Sequence, residues 1–134
     1  ADGLRPPWPI ETFDRVLVDA PCTGLGALRR RPDARWRRAP GSVEQLQQLQ
    51  RGLLRTAIAS TRVGGIVAYA TCSPHRAETS DVVNAVVADR DDVEVIDARS
   101  ALPDVAGLGS GPFIQLWPHR FTTDAMFVAL GRHT

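Results

Sequence analysis

The sequence contains no lysine: all sixteen basic residues among its 134 residues are arginines. This absence excludes lysine Schiff-base chemistry and the lysine of a phosphate-binding P-loop. No apolar run approaches the roughly 18 residues that span a bilayer. The first residues also lack the charged start and apolar stretch of a secretory signal. The two cysteines, Cys22 and Cys72, are too few for a disulfide scaffold, so we expect free thiols and a cytoplasmic protein.

The chain also carries little net charge, +1 at neutral pH, so its overall basicity does not indicate a nucleic-acid partner. Its 43% hydrophobic and 23% charged residues are ordinary for a soluble globular protein. Neither cysteine has a second Cys or His at metal-ligand spacing, so we expect no metal site. The length predicts one compact domain with its own hydrophobic core.

Apolar runs alternate with amphipathic segments, which predicts an α/β fold. Residues 13–20, 66–70, 93–97 and 125–130 have the composition of buried strands, and the run at 16–18 is typical of a strand covered on both faces. The first helix is predicted to begin at a capping box with Ser42 at the N-cap and Gln45 at N3, and to end at Gly64-Gly65. A second helix is predicted over about residues 76–90.

Two longer connections separate these elements. Residues 21–41 form a connection of a length that is usually functional or disordered, and residues 99–112 form a loop before a short apolar piece at 113–117. Strand–helix–strand units make right-handed crossovers, so the sheet is predicted to be mostly parallel and to resemble half of a doubly wound sheet. The last strand follows a loop instead of a helix and is predicted to be antiparallel.

Both cysteines follow predicted strands at the point where the strand ends. Cys22 comes after the first strand and its terminal Asp19, and Cys72 comes after the second. Ligand sites of open α/β sheets lie at this edge, so we expect the two thiols to lie about 5–10 Å apart, given a strand spacing of about 4.8 Å. Three interpretations remain open: a nucleophilic thiolate activated by a helix that begins near Arg76, a redox disulfide, or two small buried apolar side chains.

Several motifs strengthen the catalytic interpretation. They are Asp19-Ala20-Pro21-Cys22-Thr23-Gly24, Arg29-Arg30-Arg31-Pro32-Asp33-Ala34-Arg35-Trp36, the Leu-Gln repeats of the first helix, Gly64-Gly65 and Thr71-Cys72-Ser73. Together they resemble the Sun/Fmu family of RNA 5-methylcytosine methyltransferases over nearly the whole chain. The sequence departs from the family pattern at Leu4, where Arg is usual after Asp2-Gly3, and at Thr79, where Asn is usual after Glu78.

The resemblance implies an activity and a set of roles. It implies a Rossmann-like methyltransferase sheet that binds S-adenosylmethionine and methylates carbon 5 of cytosine in RNA, ribosomal RNA above all. Cys72 would attack carbon 6 of the ring, and Cys22 would assist release of the product. Asp19 would interact with cytosine nitrogen 3 and the amino-acid end of the cofactor, with Pro21 beside it, and Asp2 would contact the adenosine portion. From the residues alone, a loop-capping role for Asp19 and a disordered terminus at Asp2 remain open.

An arginine-rich stretch beside Cys22 is the candidate RNA-binding segment. It contains Trp36, which could stack on a base or pack under the loop, and the arginines could instead form a solvated face. Its candidate RNA-binding residues are Arg29, Arg30, Arg31, Arg35 and Trp36, followed by Arg37 and Arg38.

By the same resemblance the family's glycine-rich cofactor loop and first strands would lie before residue 1. Residues 1–134 would then be the C-terminal half of the catalytic domain, with an incomplete cofactor pocket and little activity alone. An exposed sheet edge would allow this chain to form a non-native dimer. Two rival interpretations are an RNA-binding module without chemistry and a thiol redox protein.

Overall fold

The computed structural model describes residues 2–36 and 41–134, which form a mixed α/β fold around a five-stranded sheet. Single 3₁₀ turns at Leu25–Ala27, Pro32–Trp36, Arg76–Glu78 and Ala98–Ala101 connect the longer elements. In chain order the elements are β1 (Phe13–Asp19), α1 (Ser42–Ser60), β2 (Thr61–Thr71), α2 (Ser80–Ala88), β3 (Val93–Ile96), β4 (Ile114–Leu116), α3 (Pro118–Phe121) and β5 (Met126–His133).

The sheet has the order β1-β2-β5-β3, with β4 also paired to β5. β1 and β2 are parallel, whereas β5 lies between β2 and β3 and is antiparallel to both. At Val128, β5 pairs with β2 on one side and antiparallel with β4 on the other. β4 therefore lies on the same side of β5 as β3 and continues its line. Four strands therefore share one direction and the last strand opposes them, which confirms the predicted mostly parallel α/β sheet with an antiparallel final strand.

Both long helices pack on one face of the sheet. Alternate residues of β5 face opposite sides, as the period of a strand requires: Phe127 and Ala129 join the main core under α1 and α2, and Val128 and Leu130 contact a smaller cluster around Ile114. On β1, Val18 belongs to the main core, but Leu17 is 68% exposed. The prediction that this strand is covered on both faces is therefore wrong for the described residues.

The predicted ends of the first helix are wrong as well. The N-cap is Gly41, with a left-handed φ of 85° and no side-chain cap, so Ser42 is already helical and no capping box forms. The helix ends at Ser60, and Gly64-Gly65 lie inside β2. Gly64 has a φ of 82° and a Cβ on Gly65 would lie 2.7 Å from the Asp14 carbonyl oxygen, so these glycines make the irregularity where the β1–β2 register shifts.

The second helix begins later than predicted. Residues Arg76–Glu78 form a 3₁₀ turn, and α2 starts only at Ser80. The helix N-terminus that was expected immediately after Cys72 is therefore eight residues downstream of it, which removes the helix dipole as an argument for a reactive thiol. The last strand extends to His133, three residues beyond its predicted end, because β3 pairs with this extension.

Candidate active site

The sulfur atoms of Cys22 and Cys72 lie 3.3 Å apart, within hydrogen-bond distance, although 50 residues separate them in sequence. Both are free thiols and both are half-buried. The sequence predicted their proximity correctly and overestimated the distance. Two thiols that are close together and reachable from solvent can act on one substrate atom, which buried apolar cysteines cannot do.

The environment of the pair favours the protonated form of Cys22. Burial and the hydrogen bond to Cys72 raise the pKa of Cys22 from 9.0 to about 12. Cys22 is therefore held in its protonated form at neutral pH. As a neutral thiol, Cys22 can donate a hydrogen bond to the Cys72 sulfur 3.3 Å away.

The parallel pairing of β1 and β2 brings the thiols to one edge. Asp19 pairs with Ala70, so Cys22 and Cys72 follow the two strand ends at nearly the same level. Gly26 then joins the two loops, because its N–H donates to the Cys72 carbonyl oxygen at 2.9 Å and its own carbonyl accepts from the Ala125 N–H at 2.9 Å. The site is thus fixed by backbone hydrogen bonds as well as by side chains.

We expect Gly26→Ala to damage this junction. A Cβ at Gly26 would lie 2.2 Å from the Ala125 carbonyl oxygen and 2.6 Å from that of Cys72, and neither backbone group can rotate away. The expected loss is about 1–3 kcal/mol of unfolding free energy, the usual cost of overpacking. Denaturant unfolding measures it, with Gly111→Ala as the control because nothing lies within 4 Å of a Cβ there. An equal, negligible effect of both substitutions would contradict the close approach at Gly26.

The buried side chain of Glu78 joins the loop that carries Cys22 to the loop that carries Cys72 through hydrogen bonds. Glu78 is 0% exposed. Its Oε1 accepts hydrogen bonds from Thr23 N at 2.8 Å and Gln50 Nε2 at 3.2 Å. Its Oε2 accepts from Thr23 Oγ1 at 2.7 Å and Ser73 Oγ at 2.6 Å. Thr23 follows Cys22 and Ser73 follows Cys72, so one carboxylate holds the neighbours of both thiols.

Gln50 is the second site residue that the sequence did not reveal. It lies in the middle of α1, is 0% exposed and donates to the Pro21 carbonyl oxygen at 2.9 Å. The periodic leucines of this helix predicted an apolar stripe, and residue type alone does not distinguish Gln50 from the other glutamines of the segment. A polar residue within the register of the apolar stripe was the one signal available.

The predicted cofactor residues lie near the end of β1. The Asp19 side chain is exposed, and no group within the described ranges hydrogen-bonds its carboxylate. It borders a cleft of about 260 Å³, whose wall includes Gly3 and Trp8. Asp2 is exposed and accepts a hydrogen bond from the Leu4 N–H at 2.9 Å, so its side chain caps a turn. Pro21 is exposed and contributes only its carbonyl to the Gln50 bond described above.

Only some of the arginines described in the arginine-rich stretch are available to bind RNA. Arg29 and Arg31 are exposed, but the Arg30 guanidinium forms a bidentate ion pair with Asp124, donating from Nε at 2.9 Å. The same bond holds the pKa of the Asp124 carboxyl below its usual range. Arg30 therefore attaches the loop after β1, which contains Cys22 and is called the Cys22 loop below, to the residues just before β5. Trp36 is 79% exposed. The Arg35 side chain, Arg37 and Arg38 lie outside what the structure describes.

Other polar groups near the site have structural roles. His75 Nδ1 accepts the Ala77 N–H at 3.2 Å and caps the 3₁₀ turn that follows Cys72.

Within residues 2–36 and 41–134, no group of His, Cys, Asp and Glu could hold a metal ion. None of the helices described there is long and apolar enough to cross a membrane.

The mostly parallel sheet of the described residues, with its antiparallel last strand, is of the Rossmann-like class, and it carries the paired thiols at one strand edge. The chain belongs to the 16S rRNA methyltransferase RsmB/F family, whose model matches residues 1–131. The match confirms the resemblance to the Sun/Fmu family that the motifs indicated.

Individual relatives support the assignment. Rv1407 of Mycobacterium tuberculosis, to which methyltransferase activity is ascribed, is 64% identical over 118 residues, which are 87% of this chain and 26% of the relative. The ribosomal RNA small subunit methyltransferase B of Sodalis glossinidius is 37% identical over 117 residues, 87% of this chain and 25% of that protein. The chain therefore spans about a quarter of the length of these relatives.

Two solved structures share the fold. The crystal structure of PH0851 superposes with a TM-score of 0.82 at 32% identity, over 92% of this chain and 27% of that protein. The structure of NSun6 from Pyrococcus horikoshii with SFG has a TM-score of 0.69 at 27% identity, over 87% of this chain and 29% of that protein.

Proposed function

We propose that the protein containing this chain transfers a methyl group from S-adenosylmethionine to carbon 5 of a cytosine in RNA, through a covalent adduct with Cys72. The observation that carries the proposal is the 3.3 Å separation of two half-buried free thiols at the carboxyl ends of parallel strands. Family membership supports an RNA methyltransferase, and the thiols supply the chemistry that carbon-5 methylation of cytosine needs.

Cys72 supplies that chemistry because carbon 5 of cytosine is a poor nucleophile. Addition of the Cys72 sulfur to carbon 6 makes carbon 5 enamine-like, so it can attack an electrophilic methyl group. S-adenosylmethionine supplies that methyl group. Loss of the carbon-5 proton then allows the Cys72 sulfur to leave and restores the aromatic ring. One difficult step is divided into easier ones.

Cys22 serves the release step. Its thiol is neutral at neutral pH, since burial and the bond to Cys72 raise its pKa, so it does not compete for carbon 6. From 3.3 Å it can hydrogen-bond the Cys72 sulfur in the free enzyme and interact with the same sulfur as the adduct breaks down. The target base must leave its stack to reach both thiols.

In this proposal Asp19 contacts both the cofactor and the target cytosine. Its exposed carboxylate at the edge of the cleft suits a ligand that brings an ammonium group or a protonated ring nitrogen. Asp2 and Pro21 would complete this side of the cofactor site. SFG, an analogue of S-adenosylmethionine, is bound in the related NSun6 structure. The remaining walls belong to the preceding part of a larger catalytic domain, of which residues 1–134 form the C-terminal half.

RNA, ribosomal RNA in particular, is the proposed substrate. Exposed Arg29 and Arg31 offer charge to phosphates near Cys22, and exposed Trp36 offers a ring face to an unstacked base. Arg30 is committed to Asp124 and contributes by fixing the loop. The Arg35 side chain remains part of the proposed RNA contact. The named rRNA methyltransferase relatives favour this substrate and a cytoplasmic location.

The product identifies the reaction. We expect full-length protein with S-adenosylmethionine and unmodified small-subunit ribosomal RNA to yield 5-methylcytosine, detected by mass spectrometry of the digested nucleosides. Ribosomal RNA that carries 5-fluorocytosine should yield none. A methyl group on another base or on ribose would contradict the proposal. Residues 1–134 alone should show neither activity nor calorimetric binding of S-adenosylmethionine, because part of the pocket is absent.

We expect Trp36→Ala to weaken RNA binding by the full-length protein about 5- to 150-fold, because stacking on one base contributes about 1–3 kcal/mol. Trp36→Phe keeps an aromatic face and should retain most of the affinity. Fluorescence anisotropy with a labelled single-stranded RNA measures both. Equal affinity of the alanine variant and the wild-type protein would remove Trp36 from the RNA contact.

A thiol redox function is the second candidate, and the same sulfur separation favours it. It requires a Cys22–Cys72 disulfide that forms and persists in reducing buffer, whereas the methyltransferase works with both thiols reduced.

The exposed outer edge of β1, with Leu17 on its uncovered face, is the surface through which the isolated chain is predicted to dimerise, and sedimentation tests it.

A further inference from the structure

Glu78 is an acidic side chain without exposure, hydrogen-bonded to the residues that follow the two cysteines. Each carboxylate oxygen accepts two hydrogen bonds, and all four donors are neutral groups: Thr23 N, Thr23 Oγ1, Ser73 Oγ and Gln50 Nε2. The carboxylate is therefore the common acceptor of the network. Burial of such a group is unfavourable unless its bonds are made, so the four donors cannot move independently.

The donors belong to the three segments that build the site. Thr23 is the residue after Cys22, Ser73 is the residue after Cys72, and Gln50 comes from α1. Gln50 also donates to the Pro21 carbonyl, so it holds the chain on the other side of Cys22. The Cys22 loop is thus held before and after its thiol by groups that meet at Glu78.

We propose that Glu78 is a positioning residue that sets the separation of the Cys22 and Cys72 sulfur atoms by binding the residue after each. The proposal rests on the proposed function for its catalytic consequence, but its geometric part stands on the network alone. Glu78 acts through Thr23 and Ser73 and touches no reacting atom. Its main-chain carbonyl accepts from the Tyr69 hydroxyl at 2.8 Å, which fixes Glu78 itself to β2.

The Oε1 position requires an acceptor, because Thr23 N and Gln50 Nε2 can only donate a hydrogen bond. In Glu78→Gln one oxygen becomes an NH₂ group. At the Oε1 position it would place donor against donor at Thr23 N and Gln50 Nε2, and at the Oε2 position it would donate to the Thr23 and Ser73 hydroxyls, whose own protons would then lose their acceptor. Thr23→Val removes a single hydroxyl and keeps the shape of the side chain, whereas Thr23→Ser keeps the hydroxyl. The pair of Thr23 variants therefore isolates one bond of the network.

The equilibrium of the thiol pair with glutathione measures sulfur proximity directly. In this exchange Cys22 and Cys72 lose two electrons and two protons to form a disulfide, and oxidised glutathione takes them up to give two glutathione thiols. The tryptic peptides 16–29 and 63–76 report the two cysteines by mass spectrometry. We expect Thr23→Val and Glu78→Gln to lower the equilibrium constant for disulfide formation at least about tenfold, or about 30 mV for a two-electron couple, and Thr23→Ser to restore it.

A purely structural role would not give this pattern. Thr61 is another fully buried threonine, whose hydroxyl donates to the Ala57 carbonyl at 2.8 Å at the opposite end of β2. Thr61→Val should lower the melting temperature as Thr23→Val does and leave the glutathione equilibrium unchanged. If Thr61→Val shifted the equilibrium as much as Thr23→Val, Glu78 would have no specific positioning role.

The catalytic consequence is slower breakdown of the Cys72 adduct at unchanged RNA affinity. With unmodified RNA, full-length Thr23→Val should release the Cys72 adduct about tenfold more slowly than the wild-type protein, with the wild-type half-saturating RNA concentration. If Glu78→Gln does not fold, Thr23→Val and Ser73→Ala carry the test. A wild-type equilibrium and rate in both would overturn the proposal. If the wild-type protein forms no adduct, the proposed function fails, and the glutathione equilibria still decide whether Glu78 positions the thiols.

Discussion

Full-length Cys72→Ala is expected to lose methyl transfer and covalent adduct formation together. The carbon-5 position of cytosine becomes reactive only after a sulfur adds to carbon 6, and Cys22 is a poor replacement because burial, the largest cause of its raised pKa, remains when the Cys72 sulfur is removed. We expect the single-turnover rate to fall by at least about 10³-fold, as for other enzymes that lose their nucleophile. Transfer of labelled methyl groups to ribosomal RNA measures the loss.

Cys72→Ser provides the matched control for this result. A hydroxyl has nearly the shape of a thiol but is a much weaker nucleophile, so this variant should also be inactive while retaining the melting temperature and RNA affinity of the wild-type protein. Inactivity with intact binding assigns the effect to sulfur chemistry. Substantial methyl transfer by either variant would show that Cys72 is not the nucleophile.

Full-length Cys22→Ala is expected to have the opposite phenotype and to accumulate enzyme bound covalently to unmodified RNA. The first half of the reaction needs only Cys72, whereas release of the Cys72 sulfur needs the neutral thiol that lies 3.3 Å from it. The adduct should therefore form at nearly the normal rate and break down slowly. A denaturing gel with labelled RNA shows a shifted band that is absent, or short-lived, for the wild-type protein.

The double variant with alanine at Cys22 and Cys72 identifies the atom that holds the RNA. It should show no shifted band, because the band depends on the Cys72 sulfur. Cys22→Ala enzyme that turns over at the normal rate without a persistent band would contradict the release role of Cys22. A band that survives in the double variant would place the covalent bond elsewhere in the protein.

The strand arrangement was predictable because it depends on signals that lie close together in the sequence. The apolar runs of β1 and β2, and the loop before the last strand, indicated parallel and antiparallel pairing correctly. The end of α1 was not predictable in the same way. Gly64-Gly65 satisfies the usual signal for a helix end, but these residues serve an irregularity in β2 that depends on contacts with Asp14.

The site was predictable only as far as the backbone determines it. Strand ends and strand spacing bring Cys22 and Cys72 to one edge, but they do not determine where the side chains point. The two sulfur atoms, 3.3 Å apart, are therefore closer than the sequence predicted. Glu78 was not recognised because its bonds join residues 55 positions away in Thr23 and 28 away in Gln50. Likewise, Arg30 looked like its neighbours until the structure paired it with Asp124 across 94 positions.

The central claim is that the Cys72 sulfur forms the bond to the base, and peptide mapping of the trapped complex tests it most directly. With 5-fluorocytosine RNA and S-adenosylmethionine, elimination stalls because fluorine occupies the position of the proton that must leave. After digestion with trypsin and nuclease, the nucleotide mass should lie on Cys72 in peptide 63–76. A modified Cys22 in peptide 16–29, or methyl transfer without any adduct on either peptide, would contradict the mechanism.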